Sequence, residues 1–260
     1  MSATLRHIAY RALPLGHLPQ LRYQPGGRYA VEEGVRLIDW GDVAPGGNVA
    51  VALGDAPPLA RVLAIADAFF AGRPGGYGVR VDGGSGQPIE AELQARGWQG
   101  AEDSPSMVIT PVPTVPAPPA ELTIRRVITA EDLEEWFHAA SPGARGPDHP
   151  PEVDFNRLFI PSLAVAHDPA IALFTGYLNE RPVASSGTFI TDDVAEVAAV
   201  ATWPEVRRRG YGTALTWAAI AEGMARGCES AALRASALGK PVYAAMGFTY
   251  VCTFRTYSPP

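Results

Sequence analysis

Cysteine is scarce: Cys228 and Cys252 are the two in 260 residues. Two thiols make neither a disulfide framework nor a four-thiolate zinc site. Lysine is scarcer still, since Lys240 is the single one and the rest of the 21 basic residues are arginine. With 27 glycines and 25 prolines, this arginine excess reads as coding bias. A lone arginine therefore carries little meaning, and only clustered or well-placed ones count. No apolar run approaches the roughly 18 to 20 residues needed to span a bilayer. The first ten residues, with Arg6 and His7, lack the apolar stretch of a secretion signal. Surplus positive charge is missing too: the formal net charge of −6 argues against a nucleic-acid footprint. The histidines show no metal-ligand spacing, so no metal is expected. What remains is a cytoplasmic globular protein, 47% hydrophobic and 18% charged, without membrane or nucleic-acid partner and either monomeric or homodimeric.

Five prolines within residues 111–120 fix φ, remove backbone donors and favour an extended spacer. They divide the chain into segments 1–110 and 121–260. The second segment alternates strand and helix: a strand at 122–127, a helix at 129–140 with Thr129 as N-cap, and a hairpin of 171–178 and 182–190 turning at Asn179-Glu180. A strand of small apolar residues at 194–202 follows, expected to be buried on both faces. Then come a Pro/Arg/Gly loop, a helix at 211–226 stopped by Gly227, a strand at 231–235, a short helix at 241–246 and closing strands to 257. This order predicts an α/β fold with a mixed sheet. The first segment ends similarly, with a helix at 59–71, strands near 48–53 and at 78–82, a helix at 88–96 and a strand at 107–111. The motif Gly86-Gln87-Pro88-Ile89 before Gly97-Trp98 matches Gly239-Lys240-Pro241-Val242 before Gly247-Phe248. A duplicated domain is the expectation.

One arginine cluster survives the composition filter. Arg207, Arg208 and Arg209 precede Gly210-Tyr211-Gly212-Thr213 at the start of the long helix. A helix N-terminus leaves about four amides without partners and carries positive potential, and glycines let an anion approach them. The alternative is a solvated loop leading into a glycine-containing cap. The dinucleotide fingerprint fails here because Leu215 stands at its last glycine, and the chain has no G-x-x-x-x-G-K-[ST].

The strand Val194 to Thr202 followed by Pro204 and R-x-x-G-x-G (Arg207, Gly210, Gly212) resembles the acetyl-CoA-binding motif of the GNAT N-acetyltransferases. The companion strand Ala232-Leu233-Arg234-Ala235-Ser236 and the helix Val242-Tyr243 to Gly247-Phe248 resemble the family's second motif. The resemblance covers about 121–258 and implies two GNAT-like domains in tandem, the first degenerate. Gly54-Asp55-Ala56-Pro57-Pro58 stands where the first domain's anion loop belongs, and an acid with two prolines is a poor pyrophosphate site. The resemblance also implies that amides of Arg208 to Thr213 bind the CoA pyrophosphate and that the main chain at Val200, Ala201 and Thr202 pairs with the pantetheine arm. Tyr243 takes the place of the general acid, since a phenol near its ordinary value of about 10 is protonated at neutral pH. Glu196, fourteen residues before Gly210, has the spacing of the catalytic glutamate in the histone-acetyltransferase branch. Set among Val194, Val197 and Val200, it is expected to be desolvated. Tyr243 as a core aromatic and Glu196 turned to solvent or to an arginine remain open. Ser236 stands where the family has Asn, with a shorter reach to the cofactor. The implied activity is acetyl transfer from acetyl-CoA to a primary amine of a small molecule or peptide by direct attack. The competing reading is a non-catalytic acyl-CoA-binding module. The acidity of the chain favours a cationic acceptor such as a polyamine or aminoglycoside.

Overall fold

The computed structural model describes residues 3–13, 18–41, 47–54, 56–73, 75–83, 88–140 and 155–260. The loop at 141–151, which the sequence offers as a flap over the acceptor, lies outside these residues, as do Asp55 and the first two positions of the Gly86 motif.

Turn chemistry and apolar patterning set the C-terminal half. Ile171–Leu178 (β7) pairs antiparallel with Arg181–Thr191 (β8). Their connection, Asn179-Glu180, has φ of 50° and 59°, the left-handed pair that a type I′ turn demands. Val194–Thr202 (β9) continues the meander antiparallel to β8, and Tyr211–Ala225 (α7) carries the chain to the parallel strand Ser230–Arg234 (β10). Gly227, at φ 90°, ends α7 as expected, with the Cys228 amide donating to Gly223 O at 3.0 Å. A capping box starts Ala130–Ala140 (α4): the Thr129 hydroxyl accepts from the Asp132 amide at 3.1 Å, and Asp132 accepts from the Thr129 amide at 2.8 Å. Gly239–Ala245 (α8) and Thr249–Ser258 (β11) close the chain.

The N-terminal half repeats the order. Arg28–Glu32 (β1), Val35–Asp39 (β2) and Val49–Val51 (β3) form an antiparallel meander. Leu59–Phe69 (α2) crosses to the parallel strand Gly78–Gly83 (β4), and Pro88–Ala95 (α3) leads to Gln99–Ile109 (β5). Ala3–Ala12 (α1), β1 and β2 have no counterpart in the sequence reading. β5 begins eight residues earlier than the apolar run at 107 suggests, because pairing with β11 holds its polar first half.

Among the described residues one sheet results, in the order β1-β2-β3-β4-β11-β5-β10-β9-β8-β7 and finally Thr123–Arg126 (β6). The last strand of each half lies in the other half's territory: β5 pairs antiparallel with β10, and β11 with β4. The halves are thus joined by an exchange of strands as well as by the proline segment. That segment does not float, for Val112 and Val115 pack on the core beneath α7. Helix α1 seals the junction, its Ile8, Ala9 and Ala12 packing with Val108, Val194, Ala232 and Phe254. No described helix is long and apolar enough to cross a membrane.

Candidate active site at the splayed strands

The buried small residues of β9 form only half of what their composition suggests. Val194 to Val197 are buried and register with Ser230 to Leu233 of β10, where the parallel ladder stops. From Ala198 to Thr202 the strand is half-buried and pairs only with β8. The cause is local. The register slips by one between Ser185↔Ala201 and Gly187↔Ala198, and Ala199 adopts φ 52°, the signature of a bulge that bends a strand away from its neighbour. The Ser185 hydroxyl donates to Ala199 O at 2.8 Å, and the fully buried Trp136 indole donates to Ser186 O at 2.9 Å, pinning the bulge. A cleft therefore opens between β9 and β10, with Val200, Ala201 and Thr202 lacking a strand neighbour on the β10 side.

Helix α7 points its N-terminus at this cleft. Gly210 is its N-cap at φ 82°, no side chain caps it, and its first turn holds no acid. The ladder begins with the Ala214 amide donating to Gly210 O at 2.9 Å, so the amides of Tyr211, Gly212 and Thr213 have no partner within the helix. A Cβ on Gly212 would stand 3.2 Å from Thr202 Oγ1 and 3.9 Å from Val200 Cγ1. Glycine is what lets the helix end approach the open strand so closely.

The arginine cluster divides. Arg207 Nε donates to Thr202 O at 2.9 Å and so ties the loop to the end of β9. Arg208, at φ 63°, and Arg209 are exposed beside the helix end. Tyr211 sends its buried ring away from the cleft to bond Glu121 at 3.0 Å, leaving only its amide toward it.

Tyr243 stands on α8, half-buried, edge-on to Phe248 with centroids 5.9 Å apart. Burial pushes its phenol above the ordinary value, and a hydrogen bond with Thr216 on α7 offsets part of that. The ring is seated against Gly239, where a Cβ would stand 2.8 Å from Tyr243 Cε2. Ser236 Oγ accepts from the Gly239 amide at the start of α8 at 3.1 Å, and the residue is exposed. Glu196 is 1% exposed and faces Ala232 across the parallel ladder. It lies one strand repeat before Ala198, on the same side of the sheet, which closes the option of a solvent-facing carboxylate.

On that side lies a cavity of about 300 Å³. Phe189, Ala198 and Ala199 form its inner wall, Trp136 of α4 and Asn156 of Phe155–Phe159 (α5) its flank, and Arg234 its β10 edge. Gln20, Trp40, Val49 and Arg80 come from the N-terminal half. None of the six that matter most for polarity and shape, Gln20, Trp40, Arg80, Trp136, Asn156 and Arg234, is singled out by motif. Arg234 lies inside a recognised strand, yet a lone arginine carries no signal in this composition. Cys228 and Cys252 are buried, and burial pushes their thiols up to about 11 and about 12, so neither has the character of a nucleophile.

Residues 130–248 match the Acetyltransferase (GNAT) family. The fold agrees along its whole length. A GCN5-related N-acetyltransferase from Kribbella flavida is 20% identical with a TM-score of 0.71, the match covering 100% of this chain and 97% of that one. A functionally unknown conserved protein from Staphylococcus epidermidis ATCC 12228 is 14% identical with a TM-score of 0.61, over 90% and 94% of the two chains. A GCN5-related N-acetyltransferase from Sphaerobacter thermophilus is 17% identical with a TM-score of 0.52, over 70% and 59%. At these identities the likeness is one of fold. Among curated proteins, none matches the chain in sequence.

Proposed function

We propose that the protein is an N-acetyltransferase that moves an acetyl group from acetyl-CoA to a primary amine of a small molecule or peptide by direct attack. The observation that carries this reading is the cleft between β9 and β10 ending at the uncapped N-terminus of α7. A pyrophosphate suits the amides of Arg208 to Thr213, with Arg208 and Arg209 adding charge. A pantetheine arm suits the edge that Val200 to Thr202 present toward β10, since an extended amide chain can satisfy a strand left without a neighbour. Acetyl-CoA supplies the activated acyl group. Glu196 takes the proton from the incoming ammonium on the cavity side of the sheet. Tyr243 holds its proton at neutral pH, because burial raises the phenol, and gives it up where charge develops on the departing sulfur. Ser236, at the start of the helix that carries Tyr243, adds a cofactor contact of short reach.

The repeated strand order supports reading the chain as two GNAT-like domains, 1–110 and 121–260, joined by 111–120, with acetyl-CoA bound by the second. The first half then completes the acceptor cavity. The test is acceptor-dependent thiol release from acetyl-CoA. Tyr243→Phe is expected to lower kcat by about 10²- to 10⁴-fold, the usual range for general acid catalysis. Binding of acetyl-CoA without thiol release across an amine panel would favour a non-catalytic acyl-CoA module instead.

A further inference from the structure

The cavity's lining identifies the chemistry of its occupant. Its two charged side chains among the described residues are both arginines, Arg80 and Arg234, and it has no carboxylate there. Arg80 is oriented by its Nε bond to Thr256 Oγ1 at 3.0 Å. Arg234 is held in the sheet by the register of β10 with Ser106 of β5, and among the described residues it makes no ion pair. A guanidinium facing a half-enclosed cavity is stabilised by an oxyanion that matches its planar fork. Gln20 adds a second, independent requirement. It is 2% exposed, lines the same cavity, and its Oε1 accepts no hydrogen bond among the described residues. A buried acceptor of that kind calls for an N–H from the ligand. The same lining supplies flat apolar walls: Trp136, and Trp40 edge-on to Phe159 at 4.8 Å.

We infer that the acceptor is an amine that also bears a carboxylate, carried on a flat apolar body, as in an aromatic amino acid. Arg234 binds the carboxylate, Gln20 Oε1 takes an N–H of the acceptor, and the tryptophans hold the body. Two guanidiniums in the lining call for an anionic group on the occupant, and a carboxylate matches the planar fork of Arg234. The volume of about 300 Å³ lies at the small end of ligand cavities. This lining argues against the cationic polyamine or aminoglycoside that net charge suggests. The inference rests on the acetyltransferase reading for the role of the occupant as acceptor.

The experiment compares thiol release by the full chain with phenylalanine, tryptophan, their carboxamides, their decarboxylated amines, their phosphonate analogues and spermidine. The expected result is a kcat/KM for the free acids at least about tenfold above that for the carboxamides, in line with a charge-assisted hydrogen bond. Arg234→Gln is expected to bring that ratio toward one, and Arg234→Lys to restore part of it. Equal or better turnover of the carboxamide, decarboxylated amine, spermidine or phosphonate would overturn the inference. Calorimetry supplies a readout without turnover. Wild-type protein should bind the amino acid, with affinity falling tenfold or more in Arg234→Gln; no binding of the acid, or binding indifferent to Arg234, overturns the inference. Titration with acetyl-CoA alone separates the two ideas, since its failure defeats the transferase reading while the amino-acid titration still decides the inference.

Discussion

Gly239→Ala moves the Tyr243 ring without removing its hydroxyl. The new Cβ would stand 2.8 Å from Tyr243 Cε2, where ordinary contact begins at 3.4 Å, so the two must separate by about 0.6 Å. Neither side yields without consequence, since Tyr243 is wedged against Phe248 and bonded with Thr216. Alanine in a helix is intrinsically favoured over glycine by up to about 1 kcal/mol, so thermal stability should change little. A misplacement approaching 1 Å costs on the order of 10²-fold in rate. The expected outcome is thus a kcat lowered by roughly one to two decades at nearly unchanged melting temperature and unchanged acetyl-CoA affinity. Thiol-release kinetics beside a thermal melt measure both. A Gly239→Ala protein with wild-type kcat would refute the placement of Tyr243 as the acid.

Other perturbations separate fold from site. The alkaline limb of kcat should lie above pH 10, because a raised phenol keeps its proton as pH rises through the ordinary value of 10.0; a limb below 10 assigned to Tyr243 by its absence in Tyr243→Phe contradicts this. Gly223→Ala places a Cβ 2.4 Å from Ala195 Cβ, where α7 lies on β9. Overpacking of that kind costs about 1 to 3 kcal/mol, so the melting temperature should fall by several degrees. Cys228 and Cys252, pushed up to about 11 and about 12, should resist iodoacetamide at pH 8 in the native protein and react once it is denatured. Cleavage within 111–120 should leave the halves together on size-exclusion chromatography, since β5–β10 and β4–β11 pairing still joins them; separation of the fragments would contradict the exchanged strands.

Local chemistry was legible where it is self-sufficient. The Asn179-Glu180 turn, the Thr129 cap, the Gly227 stop and the glycines at the start of α7 each declare themselves within a few residues, and the structure has them where the sequence places them. The polar first half of β5 did not, because its partner β11 lies some 150 residues away and pairing alone makes it a strand. The burial of β9 was half right for a related reason: composition records small apolar residues, while the bulge at Ala199 that lifts them away from β10 depends on register with β8. The bond by which Arg207 ties the loop to the end of β9 is likewise announced by no spacing. The cavity was least legible of all. Gln20, Trp40, Arg80 and Arg234 come from distant segments and share no spacing. Only the exchanged strands bring them to one side of the sheet.

The anion cradle at the start of α7 is the central claim, and Thr213→Asp tests it against the fold. An acid at that position complements the helix N-terminus and should leave stability unchanged or raised by about 0.3 to 1 kcal/mol, while opposing a pyrophosphate at the same amides. Titration calorimetry should find one acetyl-CoA bound per wild-type chain and binding weakened at least about tenfold in Thr213→Asp, with an equal or higher melting temperature. Equal acetyl-CoA affinity in the two proteins, or none in the wild type, would contradict the account.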